Sequence, residues 1–195
     1  VATRLASIVK TRTDGSTKLR FVMDLLRSGV NGRGASPERV VLPRLVDYVN
    51  GILGLMVAAW LKLGNEGAMS DVSLSVIDLS DAFYMLHAAP AERGWLIFKR
   101  ARGRAVLCRI CFGMATSPLL WGRVAAAASR IAQSTFAPHE LRIQTFVDDP
   151  AVTVAGAEKQ RKILAAQFLL LRGALGLKIT WAKGQGGNEG ERIGA

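Results

Sequence analysis

The spacing of apolar positions changes several times along the chain, and each change marks an element. Leu5 to Val9 and Leu19 to Leu25 read as extended, with Asp14-Gly15-Ser16 between them as a hairpin turn, so Lys10 and Arg20 fall on neighbouring strands. Asn31 to Glu38 is a Gly/Ser/Pro loop. From Pro43 the positions Leu45, Tyr48, Val49, Ile52, Met56 and Leu63 follow helical spacing, and the helix is expected to serve core packing. After a loop from Gly64 to Asp71, Val72 to Leu79 reads as a buried strand that delivers Asp78 at its end. Asp78-Leu-Ser-Asp81-Ala82-Phe83-Tyr then leads into a short helix stopped near Pro90.

Trp95 to Phe98 and Ala105 to Cys111 predict a second hairpin. Its turn, Lys99-Arg-Ala-Arg-Gly-Arg104, is basic enough to touch a phosphate backbone and equally suited to be a solvated tip. Phe112-Gly113-Met-Ala-Thr-Ser117-Pro118 opens a helix to about Thr135, with Ser117 at the N-cap and Pro118 at the first helical position. Arg142 to Val147 is extended and ends in Phe146-Val147-Asp148-Asp149, followed at once by Pro150 and another apolar run: a hairpin with two acids at its turn. A helix from about Glu158 to Leu175 has the stripe Leu164, Phe168, Leu171 and Leu175, with Gly176 as the residue past its end. Leu177 to Trp181 is a strand, and a Gly-rich tail beyond Lys183 is expected to fray. From Val72 onward this order predicts an α+β fold, an antiparallel sheet backed by helices.

Composition narrows the partners. The 195 residues are 50% hydrophobic, enough for a core in one domain or two lobes. Against 15 Asp+Glu stand 26 Lys+Arg, a net charge of +11, and such a surface attracts polyanions, nucleic acid first. The basic residues are spread along the chain, and the apolar stretch Gly51 to Leu61 is too short to span a bilayer, so no membrane partner is expected. No signal peptide is visible at Val1, which predicts an intracellular piece of a longer protein. Cys108 and Cys111 have a C-x-x-C spacing, but on a strand residues three apart point to opposite faces. Two buried reduced thiols are the better reading.

Asp148-Asp149-Pro150 has two readings. Adjacent carboxylates at a turn can hold a hard divalent cation, and Asp-Asp-Pro is also ordinary turn chemistry. The ordered set Asp78-x-x-Asp81-Ala82-Phe83, Phe112-Gly113-x-x-x-Ser117-Pro118, Phe146-Val147-Asp148-Asp149 and Leu175-Gly176-Leu177 with Lys183 resembles the successive palm motifs of reverse transcriptases. Lys10, Arg20 and the stretch from Asp24 to Asn31 resemble the fingers motifs before them. The pattern covers nearly the whole chain and is most similar to the polymerase segment of a retrotransposon or retrovirus-like element. It departs from the family at Phe146, where many members have Tyr, and at Pro150.

That resemblance implies the fingers and palm of a right-hand polymerase, fingers-like over 1–71 and 91–112 and palm-like over 72–90 and 113–195, in a piece without thumb, connection or ribonuclease H. It implies an RNA template, a DNA primer and deoxynucleoside triphosphates as partners, within a larger polyprotein. Asp78, Asp148 and Asp149 would bind two Mg²⁺ ions, or Mn²⁺ in their place. Lys10 and Arg20 would clamp the triphosphate, unless they are solvated strand charges. Asp81 and Ala82 would lie near the triphosphate, and Phe83 would sit under the sugar as a gate against ribose, or else be core. Phe112, Gly113, Ser117 and Pro118 would line template and incoming base, beside Phe146 and Val147, and Lys183 would approach the nucleotide. A nucleic-acid-binding remnant without turnover is the rival reading. An RNA-directed RNA polymerase shares the acid hairpin, but Phe83 argues against it.

Overall fold

The computed structural model describes residues 2–11, 15–34, 38–63, 72–180 and 185–187. Asp14, the loop from Gly64 to Asp71, Trp181 and Lys183 lie outside the described residues. The chain forms two compact units, Val1–Val40 with Asp81–Trp121 and Val41–Ser80 with Gly122–Ala195.

In the first unit, β1 (Leu5–Thr11) and β2 (Thr17–Met23) pair antiparallel, with Ile8 opposite Arg20 and Lys10 opposite Lys18. Because side chains alternate along a strand, Lys10, Lys18 and Arg20 share one face. Val9, Leu19 and Phe21 share the other, and all three are exposed. Helix α1 (Val30–Arg33) is a single turn. The expected short helix before Pro90 is a 3-10 turn, Phe83–Met85, and Pro90 opens a second one, Pro90–Trp95, because proline suits a first helical position. Strands β4 (Ile97–Lys99) and β5 (Arg104–Val106) form the basic-tipped hairpin. The strand expected to reach Cys111 stops at Val106, since the backbone then turns to residues 86–88: Ala88 N–H donates to the Cys108 carbonyl and Ile110 N–H to that of Leu86. Cys108 is therefore exposed and only Cys111 is buried, a correction to the expected pair of buried thiols. Met23, Leu25, Ala88, Leu96 and Cys111 make the core.

The second unit holds α2 (Leu45–Leu63), β3 (Val72–Val76), the part of α3 (Ser117–Ser134) from Gly122 on, β6 (Leu141–Phe146), β7 (Asp149–Ala155), α4 (Glu158–Ala174) and β8 (Gln185–Gly187). The sheet order is β6-β7-β3-β8, antiparallel throughout. Ile77, Leu141, Val152 and Val154 pack against Ala132 of α3 and Leu164 and Phe168 of α4, while Val72 and Ala155, on the opposite face, meet Leu55 and Ala59 of α2. Covered on both faces, β7 reads as an almost unbroken buried run. An α+β fold with an antiparallel sheet backed by helices is what the alternation predicted.

Helix α2 differs from expectation, and α4 agrees with it. Helix α2 buries Leu55 and Ala59, whereas Leu45 and Val49 from its predicted stripe are exposed together with Leu53, Val57 and Trp60. Over Leu45–Lys62 its mean hydropathy of 1.3 meets the length and composition of a membrane span, a longer run than Gly51 to Leu61 alone. Helix α4 ends as the sequence indicated: Gly176 has φ 75°, its N–H donates to Gly173, and Leu177 N–H donates to Arg172, the paired bonds of a Schellman cap.

Candidate active site

The acid hairpin is built by register. Phe146 pairs with Asp149, which leaves Val147 and Asp148 as a two-residue loop. Val147 has φ 54°, in the left-handed region where glycine is usual at the first position of such a loop. A β-branched residue there is strained, by about 1–3 kcal/mol, and strain of this kind clusters at functional sites. The β3–β7 ladder runs on past Val76: Ile77 N–H donates to the Pro150 carbonyl at 3.0 Å and Leu79 N–H to that of Asp148 at 3.1 Å. Asp78 therefore stands directly opposite Asp149, between two hydrogen-bonded positions. Residues so paired have Cα atoms about 4.5 Å apart and side chains on one face. Asp78, Asp149 and Phe146 thus form one row across three strands. Thr180 N–H donates to the Asp78 carbonyl at 2.8 Å and ties the same end of β3 to the segment after α4.

Pro150 is buried in a central strand, where proline is normally excluded for lack of an N–H. Its carbonyl accepts from Ile77 N–H, and the reciprocal bond to the Ile77 carbonyl is the one proline cannot make. Opposed like charges destabilise a bare sheet, and an all-oxygen pair of this kind fits a hard cation that completes its shell with water and phosphate. Among the described residues no group of three or more His, Cys, Asp or Glu side chains is arranged to hold a metal ion. The donor set supplied by the register is the opposed pair Asp78 and Asp149, with Asp148 at the turn.

Within the first unit, several of the expected nucleotide-site residues assemble around Phe112. The Arg20 guanidinium lies 5.7 Å from its ring centroid, and Phe83 and Tyr84 meet it edge-on at 5.0 and 5.8 Å. Phe83 is half-buried, Ala82 buried and Asp81 exposed with φ 55°, its carbonyl accepting from Met85. The Tyr84 hydroxyl donates to the Phe21 carbonyl, and burial, followed by the nearby Cys111 and Asp81, raises its pKa. Gly113 has φ 96°, and a Cβ there would lie 2.0 Å from the Met23 carbonyl oxygen, so only glycine fits.

Lys10 lies on an exposed strand opposite Lys18, on the face it shares with Arg20, and makes none of the ring contacts described for this cluster. Ser117 is buried, and instead of capping α3 its hydroxyl donates to the Cys111 carbonyl at 2.8 Å. Pro118 follows in the first turn of α3.

Two residues escaped sequence reasoning. Asn31 grips the Gly113 loop from both sides, Nδ2 donating to the Gly113 carbonyl at 2.8 Å and Oδ1 accepting from Ala115 N–H at 3.0 Å. Arg172, in the last turn of α4, is buried with its guanidinium 5.0 Å over Phe168 and Nη2 donating to Ser129, which is itself bonded to Thr145 of β6. Burial pulls its pKa down to about 10. The helical stripe that ran through Leu171 offered no sign of a buried charge beside it. Compared with models of known families the chain matches none, and no curated protein matches its sequence.

Proposed function

We propose that this chain is the catalytic segment of an RNA-directed DNA polymerase with the fingers and palm of a right-hand fold, adding deoxynucleotides to a primer 3′-hydroxyl. The observation that carries the reading is the ladder register, which sets Asp78 opposite Asp149 and beside the Asp148 turn although about seventy positions separate them in sequence. Asp78, Asp148 and Asp149 would hold Mg²⁺, or Mn²⁺. Such ions, when bound, acidify the attacking hydroxyl and neutralise phosphate charge. Arg20, held over Phe112, would neutralise triphosphate oxygens with Lys10, and Phe83 would bar a 2′-hydroxyl. A second reading, a nucleic-acid-binding chain without turnover, draws on the net charge of +11 alone.

Primer extension on an RNA template, run alongside calorimetric Mg²⁺ binding, separates the two. Asp78→Asn and Asp149→Asn should each abolish extension and weaken Mg²⁺ binding while RNA binding survives. Parental extension by either variant would sink the polymerase reading.

A further inference from the structure

Beneath the acid hairpin the second unit buries a charge. Arg172 sits in the last turn of α4, 1% exposed, with its guanidinium held 5.0 Å over the Phe168 ring. Its Nη2 donates to the Ser129 hydroxyl of α3 at 3.0 Å, and Ser129 is bonded to the Thr145 hydroxyl of β6 at 2.7 Å. A guanidinium only donates, so the Ser129 oxygen accepts from it and turns its own proton towards Thr145, which strengthens the second bond. Thr145 lies one residue before Phe146 and opposite Pro150, on the face of the sheet turned to α3 and α4. Because side chains alternate along a strand, Phe146 and Asp149 stand on the other face, in the row with Asp78. The relay thus ends beneath the acid row.

That end of the sheet needs an anchor. Pro150 cannot make the reciprocal rung to Ile77, and Val147 holds φ 54°, a strained conformation that persists only where its surroundings over-determine it. The relay itself costs stability. Arg172 is buried with Nε and Nη1 unpartnered among the described residues, and an apolar chain would fill the same space at less cost. We propose that Arg172 is a positioning residue, which through Ser129 and Thr145 holds the closing end of the β6–β7 hairpin and keeps Asp148 and Asp149 in place against Asp78. For its use in catalysis the inference rests on the polymerase reading; the positioning itself does not. Loss of the relay loosens the hairpin end locally, an opening that global melting need not register.

The test is amide hydrogen exchange of the full chain, followed by NMR in EDTA. It is read at Ile77 and Leu79, whose N–H groups donate to Pro150 and Asp148, with Ala155 at the far end of β7 as reference. Thr145→Val swaps a hydroxyl for a methyl of similar size. It should quicken Ile77 and Leu79 about two- to tenfold, the range for one hydrogen bond, and leave Ala155 at its parental rate. Thr145→Ser, which keeps the hydroxyl, should exchange as the parent does, and Arg172→Met should quicken the same two amides. In Thr145→Val and Arg172→Met the calorimetric Mg²⁺ affinity should fall by a similar factor. The proposal fails if either of these variants leaves both amides at the parental rate, or if Ala155 quickens equally, which would make the relay ordinary core. Quickened amides with parental Mg²⁺ affinity would also overturn it, since the acids would then be held by something else. A parent that binds no Mg²⁺ and extends no primer would sink the catalytic reading instead, and the exchange rates would still decide whether Arg172 positions the hairpin.

Discussion

The two units solve different problems with different means. The first is made of hairpins, 3-10 turns and a small core, and its loops are pinned by side chains that bond backbone: Asn31 to Gly113 and Ala115, Tyr84 to Phe21, Arg109 to Tyr84 and Met85. It carries a net charge of +9, 14 basic against 5 acidic residues. The second is a four-stranded sheet between helices with a continuous apolar core, and at 12 basic against 10 acidic residues it is nearly neutral at +2. Attraction for polyanions is thus concentrated in the loop-rich unit, while the acids stand on a rigid sheet. A carboxylate pair must be held to within a fraction of an ångström to do chemistry, and paired strands hold better than loops. Long-range attraction needs only charge.

The contrast can be broken most sharply at Gly113. Gly113→Ala forces a Cβ onto the Met23 carbonyl at positive φ, and chemical denaturation should show a loss of about 4 kcal/mol. An unchanged midpoint would mean that the Asn31 clamp tolerates a shifted loop. In the sheet unit the opposite sign is expected at Arg172, whose Nε and Nη1 have no hydrogen-bond partner among the described residues although the side chain is buried. Arg172→Met should leave stability unchanged or raise it by about 1–4 kcal/mol, because a buried charge gives way to an apolar chain of similar length. A clear loss on melting would show that the guanidinium organises Ser129 and Thr145.

Val147→Gly tests the strained turn. It should stabilise by about 1 kcal/mol, the relief at positive φ less the chain entropy of glycine, and loss of primer extension in a more stable protein would tie the strain to function. The smallest effect concerns the thiols. Cys108 should react with iodoacetamide in the native protein and Cys111 only after unfolding, since burial pushes the Cys111 thiol up to about 11. A raised folded-state pKa favours the protonated form. Its share of stability is complete below the ordinary value of 9.0 and is lost as pH rises through about 11. Equal labelling of both thiols in the native state would contradict the buried assignment.

Sequence by itself determined the elements with a strong local cause. The extended runs of β1, β6 and β7, the stripe of α4 and its Gly176 cap follow from apolar runs bounded by turn signals, helical spacing and the steric freedom of glycine. The acid hairpin was legible too, since a tight loop between apolar runs is a short-range signal, although the loop is Val147 and Asp148, and Asp149, expected at the turn, opens β7. Only the tertiary structure decided which acid faces which. That depends on the offset between β3 and β7, set by how Ile77, Val152 and Val154 pack on α3 and α4 rather than by anything adjacent in the chain. The exposure of Cys108, the outward apolar face of α2 and the burial of Arg172 belong to the same class. Each is settled by which segment arrives from far along the chain to cover a face, and local pattern carries no record of that arrival.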